Sequence, residues 1–133
     1  MVLIKVDIDR RRNYQKTKKW MNWRLQWINY YFRILPALVD VRRTRKGFHF
    51  RITPQLLPKD PSRHGVDTID DKDLIIIQQA LGSDWLREIR NLNRVKSGMV
   101  QDWNILFTEK GTADKVIMKE KYIARYILKP KTK

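Results

Sequence analysis

Among its 133 residues the chain has no cysteine. That excludes disulfides, thiolate metal centres and cysteine nucleophiles, so any metal here is a hard cation on oxygen, helped at most by imidazole. No apolar run approaches the roughly 18 residues of a spanning helix, and no signal peptide precedes the first strand. These absences predict a soluble, cytoplasmic protein with no membrane partner. A Gly-rich phosphate loop and a Ser/His/Asp hydrolase pattern are missing, as are internal repeats and low-complexity segments. Acidic residues are scarce in the first part of the chain. Residues 1 to 51 carry fourteen Lys or Arg against Asp7, Asp9 and Asp40, a surplus of eleven within a formal net charge of +15. A surplus of that size favours a polyanion as partner, most simply single-stranded DNA or RNA, over an anionic membrane surface.

What is present suffices for one domain with a single hydrophobic core: 42% of residues are hydrophobic, with five Trp, five Tyr and four Phe. Val2 to Asp9 alternates strictly. Val2, Ile4, Val6 and Ile8 share one face, and Leu3, Lys5, Asp7 and Asp9 the other, which is the pattern of a half-buried strand ending in two neighbouring carboxylates. Two such carboxylates repel unless water or a cation separates them. Asn13 then predicts a helix cap, and no Gly or Pro interrupts the chain until Pro36. Trp20, Trp23, Trp27, Tyr30 and Ile34 recur at spacings of three and four beside a second stripe of Met21, Leu25, Ile28, Phe32 and Leu35. A Trp stripe at this spacing reads as core rather than as a base-stacking platform. Arg10, Arg11, Arg12, Lys18 and Lys19 form a basic collar next to the two Asp.

Ala37 to Thr53 reads as a hairpin turning at Arg43-Thr44-Arg45-Lys46-Gly47, with Ala37, Val39, Val41, Phe48, Phe50 and Ile52 inward and Asp40, Arg42, His49 and Arg51 on the open face. Residues 54 to 67 form a Pro-containing loop. Two short helices follow, the first on Leu74, Ile77 and Leu81. Gly82 ends it, and Ser83 is positioned to cap the second, which carries Trp85, Leu86, Ile89, Leu92 and Val95. Residues 102 to 108 read as a strand with Asp102 and Asn104 on the open face. Residues 109 to 114 turn at Gly111, Val116 to Leu128 fits helix or strand, and the Lys-Pro-Lys-Thr-Lys tail is expected to fray. The order predicts an α+β fold, a ferredoxin-like or RRM-like βαββαβ sandwich with an antiparallel sheet and helices on one face. Its core covers residues 2–108, with a C-terminal extension over 109–133. Right-handed crossovers would order the strands fourth, first, third, second, gathering Asp7, Asp9, His49 and Asp102 on one face.

Val6-Asp7-Ile8-Asp9, Gly47-Phe48-His49 and the later Asp102 resemble the three short motifs of the archaeo-eukaryotic primase superfamily. The resemblance implies a nucleotidyltransferase acting in replication. Asp7, Asp9 and Asp102 would hold Mg²⁺ or Mn²⁺, and His49 would contact a nucleoside triphosphate. Arg42, Arg45, Lys46 and Arg51 would neutralise phosphates, with an accessory protein or a further copy of the chain supplying more of the template site. Two other readings compete. One is a non-catalytic single-stranded nucleic-acid-binding module of the same fold. The other is a rolling-circle nickase using Tyr122 or Tyr126, for which His49-Phe50-Arg51 lacks the second His.

Overall fold

The computed structural model describes residues 2–55, 69–99, 103–104, 109–112 and 115–131. Strand β1 (Ile4–Asp9) is followed by helix α1 (Tyr14–Phe32) and by strands β2 (Ala37–Arg43) and β3 (Gly47–Pro54). Then come helices α2 (Asp71–Ala80) and α3 (Trp85–Lys96) and strands β4 (Glu109–Thr112), β5 (Lys115–Lys119) and β6 (Lys121–Leu128). The fold is α+β. A four-stranded antiparallel sheet runs in the order β1-β3-β2-β6, and β4 and β5 make a separate two-stranded sheet. No helix among the described residues is long and apolar enough to cross a membrane.

The first three strands follow their periodicities. Ile4, Val6 and Ile8 are buried against Val39, Val41, Phe50 and Ile52 of the neighbouring strands and against Met21, Leu25 and Ile28 of α1. Asn13 caps α1, its side chain accepting from the Lys16 amide at 3.0 Å, and the helix ends at Arg33 in a left-handed conformation. The β2–β3 turn is closed by Thr44 and Gly47, which bond to each other in both directions. Gly47 is required: a Cβ there would lie 1.8 Å from the Ile8 carbonyl oxygen.

The Trp stripe of α1 divides: Trp20 is half-buried against the core and Ile34, beyond the helix end, is buried, but the rest is not core. Trp23, Trp27, Tyr30 and Tyr31 are exposed, whereas the neighbouring stripe of Thr17, Met21, Leu25 and Ile28 is buried. Each helical residue advances about 100°, so Trp23 and Tyr30 point about 160–180° away from Met21 and cannot share its face. Apolar residues encircle this helix, and the core takes its aliphatic side, with Tyr14, Trp20 and Phe32 half-buried against it.

The fourth strand also differs from expectation. Residues 121–128, which fit helix or strand by sequence, form β6 and pair with β2 at the far edge of the sheet. Trp103 is buried, while Asp102 and residues 105–108 lie outside the described residues. Among the described residues no strand pairs with the outer edge of β1, which is held by groups from the α2–α3 corner. Gln78 accepts from the Lys5 amide at 2.9 Å and Ser83 from the Asp7 amide at 3.0 Å. Arg87 donates to the Lys5 carbonyl at 2.9 Å, and the Asp84 amide donates to the Asp7 carbonyl at 2.7 Å. A buried strand edge needs a partner for every backbone group. This demand turns over the first part of α3, where Arg87, Glu88 and Asn91 are buried and Trp85, Leu86 and Ile89 exposed, while Leu92 and Val95 pack against the core as expected. It also takes Ser83 from its expected capping role, which passes to Asp84, whose carboxylate accepts from the Arg87 amide at 3.2 Å. The tail likewise departs from a frayed end as far as residue 131. Gln26 on α1 donates to the Lys129 carbonyl and accepts from the Lys131 amide.

Candidate functional site

At the C-terminal end of β1, between the β2–β3 turn and the start of α3, lies a cleft of about 1340 Å³. Antiparallel pairing sets Asp7 opposite His49 and Asp9 opposite Gly47, so the motif residues of both strands meet there. Asp7, Asp9, His49, Arg10, Arg12 and Lys46 all line the cleft. Arg10 follows the strand in a left-handed conformation, φ 65°, its amide bonded to the Lys46 carbonyl. A non-glycine residue held this way carries strain, here between the two carboxylates and the basic turn.

His49 is 4% exposed and has a carboxylate at each ring nitrogen. Nε2 is 3.5 Å from Asp7 Oδ1, and Nδ1 is 2.8 Å from Glu120 Oε2. Glu120 also pairs with Arg51 at 3.1 Å. The four side chains form a continuous line from the cleft into the open face of the sheet, with the imidazole oriented from behind by Glu120. Glu120 was invisible to sequence reasoning. It sits between β5 and β6, in a segment whose strand register no alternation pattern sets.

The remaining basic residues divide by partner. Arg42 is held by Asp40 at 2.8 Å and lies over the Tyr122 ring, and Arg51 is engaged by Glu120. Burial opposes ionisation of Asp40, but hydrogen bonds and charge from Arg42 and Arg125 outweigh it and hold the carboxyl below its usual range. Arg11 stacks over Trp20. Lys18 lies over Tyr126, towards the opposite edge of the sheet, and Lys19 and Arg45 are exposed. In their place α3 contributes Arg90 and Arg94 to the cleft, with Asp84 and the exposed Trp85 at its mouth. The signal for these arginines was their spacing, since Arg87, Arg90 and Arg94 recur at three and four. Beneath them Arg87 pairs with Glu88 and donates to Asn104 Oδ1 at 2.7 Å. Burial lowers the Arg87 pKa, and the charges of Glu88 and Asp7 oppose that shift.

Asp7 and Asp9 offer the hard oxygen donors that Mg²⁺ or Mn²⁺ prefers, and both face the cleft. No three carboxylates or imidazoles among the described residues gather closely enough to hold a metal ion. Of the other acids, Asp102 and Asp67 lie outside the described residues, as does His64, and Asp70 is engaged as the cap of α2. Tyr126 donates its hydroxyl to Asn22 at 2.7 Å, and burial pushes its pKa up, away from the phenolate that a nucleophile needs. Compared with protein-family models, curated proteins and solved structures, the chain matches none.

Proposed function

We propose that the cleft is the centre of a primase-like, metal-dependent nucleotidyltransferase acting in replication on single-stranded nucleic acid in the cytoplasm. Its frame would be an RRM-like sheet whose fourth strand has changed edge. The observation that carries this reading is the meeting of Asp7, Asp9 and His49 from two strands in one cleft, rimmed by Arg10, Arg12, Lys46 and Arg90. Asp7 and Asp9 would hold Mg²⁺ or Mn²⁺, with Asp102 as the third carboxylate by resemblance. When bound, the ions supply activation of a 3′-hydroxyl and stabilisation of the leaving pyrophosphate. The basic rim neutralises the triphosphate and the template backbone. Glu120 and Arg51 fix the orientation of His49. An accessory protein or a second copy would extend the template site.

A second reading, a non-catalytic single-strand-binding module, is favoured by one specific observation: both nitrogens of His49 already face carboxylates. The two are separated by metal response and nucleotide incorporation. Mn²⁺ should raise the thermal midpoint of the wild type by mass action on the folded state. The Asp7→Asn, Asp9→Asn double variant should lose that response and all incorporation on primed or unprimed template. It should keep its nucleic-acid affinity, because phosphate contacts come from the rim. A wild type that binds single strands, ignores Mn²⁺ and incorporates nothing leaves the binding module as the function.

A further inference from the structure

We propose that the outward face of α1 is a stacking track along which single-stranded nucleic acid runs into the cleft. The proposal names the ligand and route of the site described above and rests on that reading. Trp23, Trp27, Tyr30 and Tyr31 are 50%, 56%, 74% and 60% exposed. These four large rings lie on the helix face away from the core contact, which Met21, Leu25 and Ile28 supply. Trp23 meets Trp27 at 73° and Tyr30 meets Tyr31 at 75°, so neither pair is closed face to face.

Chemistry on the same face selects the occupant. From Arg10 to Val39 the chain has no acidic residue and eight Lys or Arg. Lys16, Lys19 and Arg24 are exposed within or beside the aromatic stripe, and the segment bound to Gln26 brings Lys129 and Lys131 to its flank. Aromatic faces interleaved with cations are what an unpaired polynucleotide strand requires, bases stacking while phosphates are neutralised. A second copy docked face to face would oppose cation to cation. An interfacial membrane helix buries a broad apolar side, but the aliphatic residues of α1 point into the protein and its cations share the tryptophan stripe.

The track is also continuous with the cleft. Gly82 lines the cleft, and a Cβ on it would lie 2.6 Å from the Trp20 ring. Trp20 is covered by Arg11 at 5.2 Å and Arg24 at 5.1 Å, and Arg24 reaches on to Trp23 at 5.5 Å. From Trp20 to Tyr30 the helix rises about 15 Å, enough for several nucleotides.

The test uses the full chain and a labelled single-stranded DNA of mixed sequence, about 12 nucleotides long. Binding should quench tryptophan fluorescence, and the Trp23→Ala, Trp27→Ala double variant should bind about tenfold or more weakly with that quench reduced. Its salt dependence should stay that of the wild type, since no phosphate contact is removed. Tyr30→Ala, at the far exposed end, gives an independent reading, and Trp23→Phe with Trp27→Phe should restore affinity by restoring rings. Unchanged affinity in the alanine variants overturns the proposal. So does an aromatic-dependent loss confined to phosphatidylserine vesicles or to self-association, with oligonucleotide binding untouched. Aromatic-dependent binding without nucleotide incorporation sinks the polymerase reading and leaves the track. Incorporation and binding that both survive the alanine changes sink the track alone.

Discussion

Asp40 shows how a residue can be placed correctly on a face and still be misjudged in company. Alternation sets Asp40, Arg42, His49 and Arg51 on the open side of the hairpin, where the two arginines looked ready for phosphate. Each is instead engaged by a carboxylate, Arg42 by Asp40 and Arg51 by Glu120. The consequence for Asp40 is measurable. Its folded-state pKa lies below the ordinary carboxylate value of about 3.9, so its contribution to stability is present above that value. That contribution disappears as pH falls through the lower folded-state value. Asp40→Asn should therefore be less stable than the wild type in urea at about pH 7, and the difference should close at about pH 2. A gap that persists in acid would show that packing, not ionisation, is what Asp40 contributes.

At the scale of elements, α1 separates what periodicity can read from what it cannot. Its start at Asn13 and its uninterrupted course were legible, because capping and the absence of Gly and Pro are local properties. Which of its two apolar stripes faces the sheet was not, because both have helical spacing and the choice is made by tertiary packing, in which Met21, Leu25 and Ile28 join the core. Leu25→Ala should cost about 2–5 kcal/mol of unfolding free energy, as large-to-small changes in packed cores do. Trp27→Ala should change it by only about 0.5 kcal/mol, since the ring faces outward. Denaturant titrations of the two variants would reverse this order if the tryptophans were core. In α3 the misreading has a different origin. Trp85, Leu86 and Ile89 mark an apolar side, but hydrogen-bonding demand at the strand edge overrides hydrophobic preference and draws Arg87, Glu88 and Asn91 inward.

For the molecule as a whole, the β1–β3–β2 part of the sheet and the convergence of Asp7, Asp9 and His49 were readable from alternation plus antiparallel pairing. The fourth strand was not, since β6 comes from a segment without a decisive period and joins β2 through a register shift between Val41 and Arg42. The two edges of the sheet are therefore built from different materials. One ends in a strand, β6. Among the described residues the other is held by separate groups from the α2–α3 corner, the side chains of Gln78, Ser83 and Arg87 and the Asp84 amide, each on a single backbone group of β1. A ladder opens cooperatively, whereas separate side-chain clasps release with the segment that bears them. Native-state hydrogen exchange should therefore split β1 down its middle. The amides of Val6 and Ile8, directed at β3, should exchange only through global unfolding. Those of Lys5 and Asp7 should exchange faster, at the rate at which α2 and α3 lift away. Equal protection on both sides of the strand would mean that the helix pair and the sheet unfold as one unit. Two rates would make the wall of the cleft a separately opening body, whose departure uncovers Asp7 without loosening the sheet that carries it.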